Sequence, residues 1–290
     1  MAYTAIENED EKKEYFDSPE ELEVKVEMLA DMIKASSTFC AFTGAGISTA
    51  CGIPDYRSGF NTVMDTGPGG WETAANKEKY KKLMVEKEKK AKAGGKKEIR
   101  TSIQKAYPSF THMSLFELCE RERLKFIISQ NVDGLHRKSG VPAHCLAELH
   151  GNTNLEVCEK CGTEYMRDMR VRNAKSTKEH RTGRKCDNPS CQGPLKDTII
   201  NFNENLNDNI LEMGFQMAGA SDLILCMGSS MRVSPACEMP VSTVQNGGNL
   251  VMINLQKTPI DGHATLILNG KCDDIMRLLM KKLDYDVPVW

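Results

Sequence analysis

Leu22, Val26, Leu29 and Ile33 recur at helical spacing, and Ser18-Pro19-Glu20-Glu21 precedes them. Ser in the N-cap place, Pro at the first helical position and Glu at N3 predict a helix from Ser18 to about Ser36. Thr38–Thr43 is a short β-prone run that ends in Gly44-Ala45-Gly46, a strand leading into a glycine turn. Lys125–Ser129, Asp222–Met227 and Asn249–Asn254 are further short apolar runs that do not alternate with polar residues. Such runs fit strands buried on both faces. Ser109–Arg123 and Cys272–Leu283 have the spacing of helices packed on a sheet, so the expected class is α/β with a mostly parallel, doubly wound sheet. Ligands of such sheets bind beyond the carboxyl ends of the strands.

Several stretches break that rhythm. Residues 1–17 lack apolar periodicity and read as a disordered acidic leader. Residues 59–100 begin with Gly67, Gly69 and Gly70 and continue as a Lys/Glu-rich helical pattern ending at Gly94-Gly95, a loop plus an exposed helix. Residues 151–193 are cysteine-bearing and basic, a small inserted module, which leaves 18–58, 101–150 and 194–290 for the sheet domain.

Composition narrows the class. The 290 residues are 40% hydrophobic and 27% charged, close to globular averages. No run approaches the roughly 18 apolar residues of a membrane span, and Glu7, Glu9, Asp10 and Glu11 stand where a signal peptide is apolar. An intracellular, reducing compartment and no membrane partner are expected. The formal charge of −2 conceals segregation: Lys77–Arg100 carries eleven basic and four acidic side chains, Arg167–Lys185 eight and two, and Glu7–Glu23 two and nine. Such blocks form solvated faces or mobile arms, or contacts for charged partners.

The eleven cysteines are too many and too oddly numbered for a disulfide framework in a reducing compartment. Cys158-Glu-Lys-Cys161 stands 24 residues before Cys186-Asp-Asn-Pro-Ser-Cys191. Two such knuckles supply the S₄ shell of one structural Zn²⁺, with Gly162, Asn188 and Pro189 as turn residues and no histidine nearby to make the site catalytic. Cys40, Cys119, Cys226 and Cys237 sit in apolar surroundings and read as core thiols. Thr43-Gly-Ala-Gly-Ile-Ser48 closes a strand and is expected to open a helix, either as a plain turn or as a cradle for a pyrophosphate. The third glycine of the dehydrogenase fingerprint is Thr49, which disfavours a conventional dehydrogenase.

Seven separated motifs carry a resemblance. They are Gly44 to Arg57, Gln130-Asn-Val-Asp-Gly-Leu-His136, Glu148-Leu-His-Gly151, the Cys₄ knuckles, Gly228-Ser-Ser230, Asn254-Leu-Gln256 and Gly270-Lys-Cys-Asp-Asp274. In order and spacing the chain resembles the sirtuin family of NAD-dependent protein deacylases from about Leu29 to Leu283. Asp197-Thr-Ile-Ile200 and Gly270–Met280 look most like its class IV branch, which in animals includes nuclear, chromatin-directed members.

The resemblance implies a Rossmann-like NAD-binding domain with a Cys₄ zinc module. It implies His150 as general base, with Asn131 assigned beside it as catalytic. A carboxamide oxygen attacks C1′ of NAD as nicotinamide leaves, and a ribose hydroxyl then loses a proton near neutral pH, which suits imidazole. Gln130, Asn131 and Asp133 match residues that hold the ribose and nicotinamide ends, with Ile53 and Asp133 on the carboxamide. Gly44, Ala45, Gly46, Ser48, Asp55, Tyr56 and Arg57 belong to the cofactor loop, and Gly228, Ser229, Ser230, Asn254, Leu255, Gln256 and Cys272 to the adenosine side. Phe202, Asn203 and Glu204 match the substrate-gripping strand. The implied products are nicotinamide, 2′-O-acyl-ADP-ribose and a freed lysine, and the implied partner is an acyl-lysine protein such as a histone.

Three departures from the family pattern stand out. Tyr56 replaces Phe and is followed by Ser58 and Gly59, with a longer run before Trp71. Asn203 replaces Gly, and Asn is the residue after Gly that best tolerates φ > 0. Lys77–Arg100 reads as a solvated helix or as an arm for nucleic acid, a nucleosome or nuclear import. Two other functions compete: mono-ADP-ribosyl transfer from the same pocket, and a weakly active NAD-binding chromatin adaptor whose basic segments do the work.

Overall fold

Phe39–Thr43 forms β1 and is buried along its whole length, as a strand covered by helices on both faces must be. The computed structural model describes residues 8–92, 101–173 and 178–290. The later strands are β2 (Leu124–Ser129), β3 (Leu146–Glu148), β4 (Leu155–Cys158), β5 (Glu164–Met166), β6 (Arg181–Lys185), β7 (Pro194–Asp197), β8 (Leu223–Met227), β9 (Asn249–Asn254) and β10 (Leu266–Asn269). The helices are α1 (Pro19–Ala35), α2 (Gly70–Ala75), α3 (Lys77–Lys92), α4 (Phe110–Glu120), α5 (Leu135–Lys138), α6 (Asp208–Gly219), α7 (Met239–Gln245) and α8 (Cys272–Lys282).

A parallel sheet in the order β10-β9-β8-β1-β2-β3 forms the main body. The period-2 alternation of β1 divides the core: Phe39 and Ala41 join the cluster under α1, α4 and α8, while Cys40 and Phe42 join the one under α6 and α7. α1 starts as its sequence predicts, with Ser18 Oγ accepting from the Glu21 amide at 3.2 Å and Glu21 Oε2 accepting from the Ser18 amide at 3.0 Å. Val26, Leu29, Ala30 and Ile33 form its buried stripe.

β1 is the point where the chain order reverses, with β2 on one side and β8 on the other. At the carboxyl ends of β1 and β8 two glycine turns meet backbone to backbone. The Gly46 amide donates to the Gly228 carbonyl at 2.8 Å, and a Cβ on Gly46 would lie 2.6 Å from Gly228 Cα. The helix expected after β1 is a 3₁₀ helix, Ala45–Cys51.

The acidic leader is ordered from Asn8 onward, contrary to expectation; residues 1–7 lie outside the described residues. Its charges are used: Lys12 pairs with the buried Glu72 at 3.1 Å, Glu11 with Arg232 at 2.6 Å and Asp17 with Lys25 at 2.6 Å. Glu14 accepts from Thr62 and from the Val63 amide, and the Tyr15 amide donates to the Leu255 carbonyl at 2.8 Å. Apart from Lys25 these partners are remote in sequence, so no local periodicity marks the segment.

A second sheet, antiparallel in the order β5-β4-β7-β6, carries the cysteine module. It includes β7, beyond the expected limit at Gly193. Arg167 and Arg184 of its basic stretch both pair with the buried Glu156, Arg172 with Asp197 and Arg181 with Glu159. Much of that charge is therefore held internally rather than presented as an arm.

His112 and His136 pack edge to face beside this core, 4.9 Å apart. His112 Nδ1 accepts from the Ser109 amide, closing a capping box on α4, and His136 Nε2 meets Thr43 Oγ1 at 2.9 Å. Burial pushes both rings down to about 3, with His112 adding to the effect on His136. The unfolded chain protonates these rings below about pH 6.5 while the folded chain does not until far lower, so stability falls as pH falls through that window. The urea midpoint should therefore drop from about pH 7 to pH 5. The drop should be smaller in a His112→Asn/His136→Gln double variant, which keeps the two hydrogen-bonding atoms; an equal drop would exclude these rings as the cause.

Candidate functional site

A cavity of about 840 Å³ opens where the two glycine turns meet. One wall is Gly44, Ala45 and Gly46 with Gly228, Ser229 and Ser230; the opposite side holds Ile199–Leu206, and Asn254–Gln256 and Cys272 close the end. Gln130, Asn131 and His150 stand on the wall between them, delivered by the ends of β2 and β3, which pair in register.

His150 Nδ1 lies 2.9 Å from the Gln130 carbonyl. A carbonyl only accepts, so Nδ1 carries the proton and Nε2 keeps its lone pair. Burial lowers the ring's pKa against the raising effect of that hydrogen bond, which keeps the imidazole neutral. Such a ring can take a proton from a hydroxyl placed in the cavity. Asn131 Nδ2 donates to the Gly44 carbonyl at 3.1 Å and to Ser48 Oγ at 3.3 Å, and Gln130 Nε2 donates to Ser229 Oγ at 3.2 Å. The β2 loop is thereby tied to both glycine turns.

The cofactor loop is built around Asp55, which is half-buried and whose carboxyl is raised by desolvation. It accepts from the Arg57 and Ser58 amides at 3.2 and 2.9 Å and from the Ser58 hydroxyl. Arg57 reaches Ser230 Oγ at 2.9 Å and lies over the Trp71 ring at 4.3 Å. Burial, with Arg232 nearby, pushes its pKa down to about 10, so it remains a cation at neutral pH. Tyr56 and Phe202 flank Trp71, at 4.9 and 5.4 Å between ring centroids. Tyr56 thus occupies an aromatic position in which the family's Phe would also fit. Phe202–Glu204 is a turn and not a strand, and Asn203 adopts φ +69°, the conformation for which Gly would otherwise be used.

The residues present fit a dinucleotide. Gly44 and Gly46 leave no room for a side chain against Gly228 and Ser229, and the backbone and the Arg57 cation face one cavity. In the small sheet the four sulfurs of Cys158, Cys161, Cys186 and Cys191 lie within 4.8 Å of one another. The Cys158–Cys191 and Cys161–Cys186 pairs are 3.6 Å apart, against the roughly 3.8 Å that Zn–S bonds of about 2.3 Å require around a tetrahedral ion. Tyr165 Oη lies 3.0 Å from Cys186 Sγ and supports that thiolate.

The family model for Sir2 matches residues 44–235. The chain belongs to the Sir2 family. It is 39% identical over 277 residues to the NAD-dependent protein deacetylase SRT1 of Arabidopsis thaliana, covering 95% of this chain and 52% of that protein. It is 37% identical over 290 residues to the NAD-dependent protein deacetylase sirtuin-7 of Homo sapiens, covering 96% and 65%. It is 34% identical over 284 residues to the NAD-dependent protein deacetylase Sirt6 of Drosophila melanogaster, covering 95% and 80%. The chain thus spans about half the length of its plant relatives and just under two thirds of the human one. Among solved structures, Sir2 bound to acetylated peptide is 27% identical with a TM-score of 0.63, covering 90% of this chain and all of that one. Sir2 with a p53 peptide and NAD+ is 28% identical with a TM-score of 0.61, covering 89% and 98%.

Not every anticipated residue of this Sir2 chain reaches the cavity wall. Ser48, Ile53 and Asp133 are not among the residues that line it. Asp133 Oδ2 accepts from Ser48 Oγ at 2.7 Å and Oδ1 from the Leu135 amide at 2.9 Å, so the carboxylate braces the loops that carry Asn131 and Gly46. The wall also includes Ile199, from the Asp197–Ile200 stretch, and Trp71, Val233, Ser234 and Pro235, which the motifs did not single out. Trp71 follows the Gly69-Gly70 turn and Val233–Pro235 come a few residues after the Gly228–Ser230 motif, settings too general to mark a site. Cys119 and Cys237 are only partly buried, unlike Cys40 and Cys226.

Removing metal from the Sir2 chain with a chelator is expected to release one Zn²⁺ and to expose the amides of β4–β7 to hydrogen exchange. Metal analysis and exchange mass spectrometry check this; full protection of the small sheet without metal would speak against a structural ion.

Proposed function

We propose that the chain is an NAD-dependent protein-lysine deacylase with His150 as its general base. The observation that carries the reading is a neutral, partly buried imidazole with a free Nε2, facing a cavity that has a glycine-rich dinucleotide wall and an aromatic-bearing loop opposite it. The relatives named NAD-dependent protein deacetylases and the solved Sir2 chain with an acetylated peptide support it. NAD supplies the ribose carbon from which nicotinamide departs as the acyl oxygen arrives. Asn131 and Gln130 orient the ribose end, the glycine turns and Arg57 face the phosphates, and Asn254–Gln256 with Cys272 take the adenosine side. Phe202 and Asn203 hold the acyl-lysine, and His150 Nε2 removes the ribose hydroxyl proton.

The test uses purified chain, NAD and a panel of acyl-lysine peptides, following nicotinamide release and peptide mass. Loss of acyl mass with nicotinamide release is expected, with a drop of about 10²–10⁴-fold in His150→Ala and an unchanged melting temperature. Because burial depresses the His150 pKa, the acidic limb of the rate profile should fall below the usual histidine range near pH 6.5. Nicotinamide release with ADP-ribose added to the peptide would replace deacylation by mono-ADP-ribosyl transfer. Equal activity in His150→Ala would remove the base, and silence of both folded proteins would favour a chromatin adaptor.

The class IV resemblance and the Lys-rich α3 support residence in the nucleus, a histone among the substrates, and contact with nucleic acid or a nucleosome through Lys77–Arg100. Residues 93–100 of that stretch lie outside the described residues. Binding to duplex DNA through it should weaken steeply as salt rises. Salt-insensitive binding, or none, would remove the contact.

A further inference from the structure

A second cavity, of about 1000 Å³, lies between the small sheet and the main body and shares Ile199, Ile200, Glu204 and Asn205 with the first. His180, just before β6, stands on its wall. Its Nδ1 lies 3.1 Å from Asp197 Oδ1 and its Nε2 3.1 Å from Glu204 Oε1. Both acceptors are carboxylates, so both ring nitrogens donate and the ring is an imidazolium. Burial opposes that charge, but the bonds to Asp197 and Glu204 outweigh it and hold the ring's pKa above its ordinary value. Glu204 is held below its own against the cost of burial, by Asn201 and by His180.

The two carboxylates stand at the ends of one loop. Asp197 ends β7 and accepts from the Ile199 amide at 3.0 Å. Glu204 Oε2 accepts from the Asn201 amide at 2.6 Å and from its side-chain amide at 2.9 Å. Between them lie Phe202, tilted against the Trp71 ring, and Asn203 in its left-handed turn.

We propose that His180 is a positioning residue for the acyl-lysine substrate: its imidazolium joins Asp197 to Glu204 across the base of the loop and so fixes Phe202 and Asn203 at the edge of the first cavity. The proposal rests on the deacylase reading for its substrate. The other charged groups around the ring are Arg172, paired with Asp197 at 3.5 Å, and Lys178, Glu179, Arg181 and Lys196, which line the same cavity.

Three variants of the full chain, His180→Ala, His180→Gln and His180→Arg, test it by steady-state kinetics with an acetyl-lysine peptide and by hydrogen exchange without any ligand. In His180→Ala, exchange across 199–205 should quicken and the KM for peptide should rise about tenfold, as expected for two lost charge-assisted bonds. KM for NAD and the melting temperature should hold. Gln can donate to only one carboxylate and should fall between, and Arg should restore both readouts. Between about pH 6 and 9 the wild-type KM for peptide should climb as the ring loses its proton, while His180→Arg stays flat. Unchanged exchange and peptide KM in His180→Ala would overturn the proposal. So would a parallel rise in KM for NAD with a fall in melting temperature, or a pH dependence that persists in His180→Arg. Should the unaltered chain fail to deacylate, the functional reading falls alone, and the ligand-free exchange still decides whether His180 holds the loop.

Discussion

The contact between the Gly44–Gly46 turn and Gly228 is the constraint on which the site depends. β1 and β8 are parallel neighbours, so their carboxyl ends emerge side by side and their following turns compete for the same space. They fit only because neither carries a side chain at the meeting point. The glycines were expected to admit a pyrophosphate, and they also admit one another. The close approach leaves a mouth at the point of strand reversal, and the Gln130 and Asn131 amides tie that mouth to the loop after β2. His150 hangs on the same loop through the Gln130 carbonyl. Its tautomer, and with it the lone pair that faces the cavity, follows from the backbone geometry there.

Legibility in the sequence tracked burial and locality. β1, β2, β8 and β9 were visible because a strand covered on both faces is apolar at every position. β3 and β10 are shorter, and their apolar residues merge with the surrounding loops. The capping box of α1 was visible because it is written in four consecutive residues, and the zinc knuckles because a tetrahedral ion fixes their spacing. Asn203 was readable as a left-handed turn from its residue type alone. The Asn8–Asp17 segment was not, since its partners lie at Thr62, Glu72, Arg232 and Leu255. His180 was likewise hidden, because its meaning lies in two carboxylates further along the chain.

Charge was read least well from the sequence alone. The basic run after Arg167 looked like a solvated block, yet two of its arginines converge on one fully buried carboxylate, Glu156. A buried carboxylate left unpaired would be costly, so these arginines act as internal counterions that let a small sheet with few apolar residues close around its cysteines. α3 is different: the side chains described in it, up to Glu86, are mostly exposed, and Lys81 pairs with its neighbour Glu78.

The ordered N-terminal segment changes what kind of opening the cleft is. Asn8–Asp17 grips the cofactor loop at Thr62, Val63 and Glu72 and the adenosine-side loop at Leu255 and Gln256. The cofactor loop in turn meets the substrate loop through Trp71 and Phe202. These segments of the rim are therefore linked in series and do not face one another as two separate jaws. The N-terminal links combine a buried ion pair with several hydrogen bonds, and the link between Trp71 and Phe202, which is half in solvent, includes an aromatic contact of a kind worth about 0.5–1.5 kcal/mol. Widening the cleft between Trp71 and Phe202 therefore gives up an aromatic contact, while widening it past the N-terminal segment gives up a buried ion pair and several hydrogen bonds.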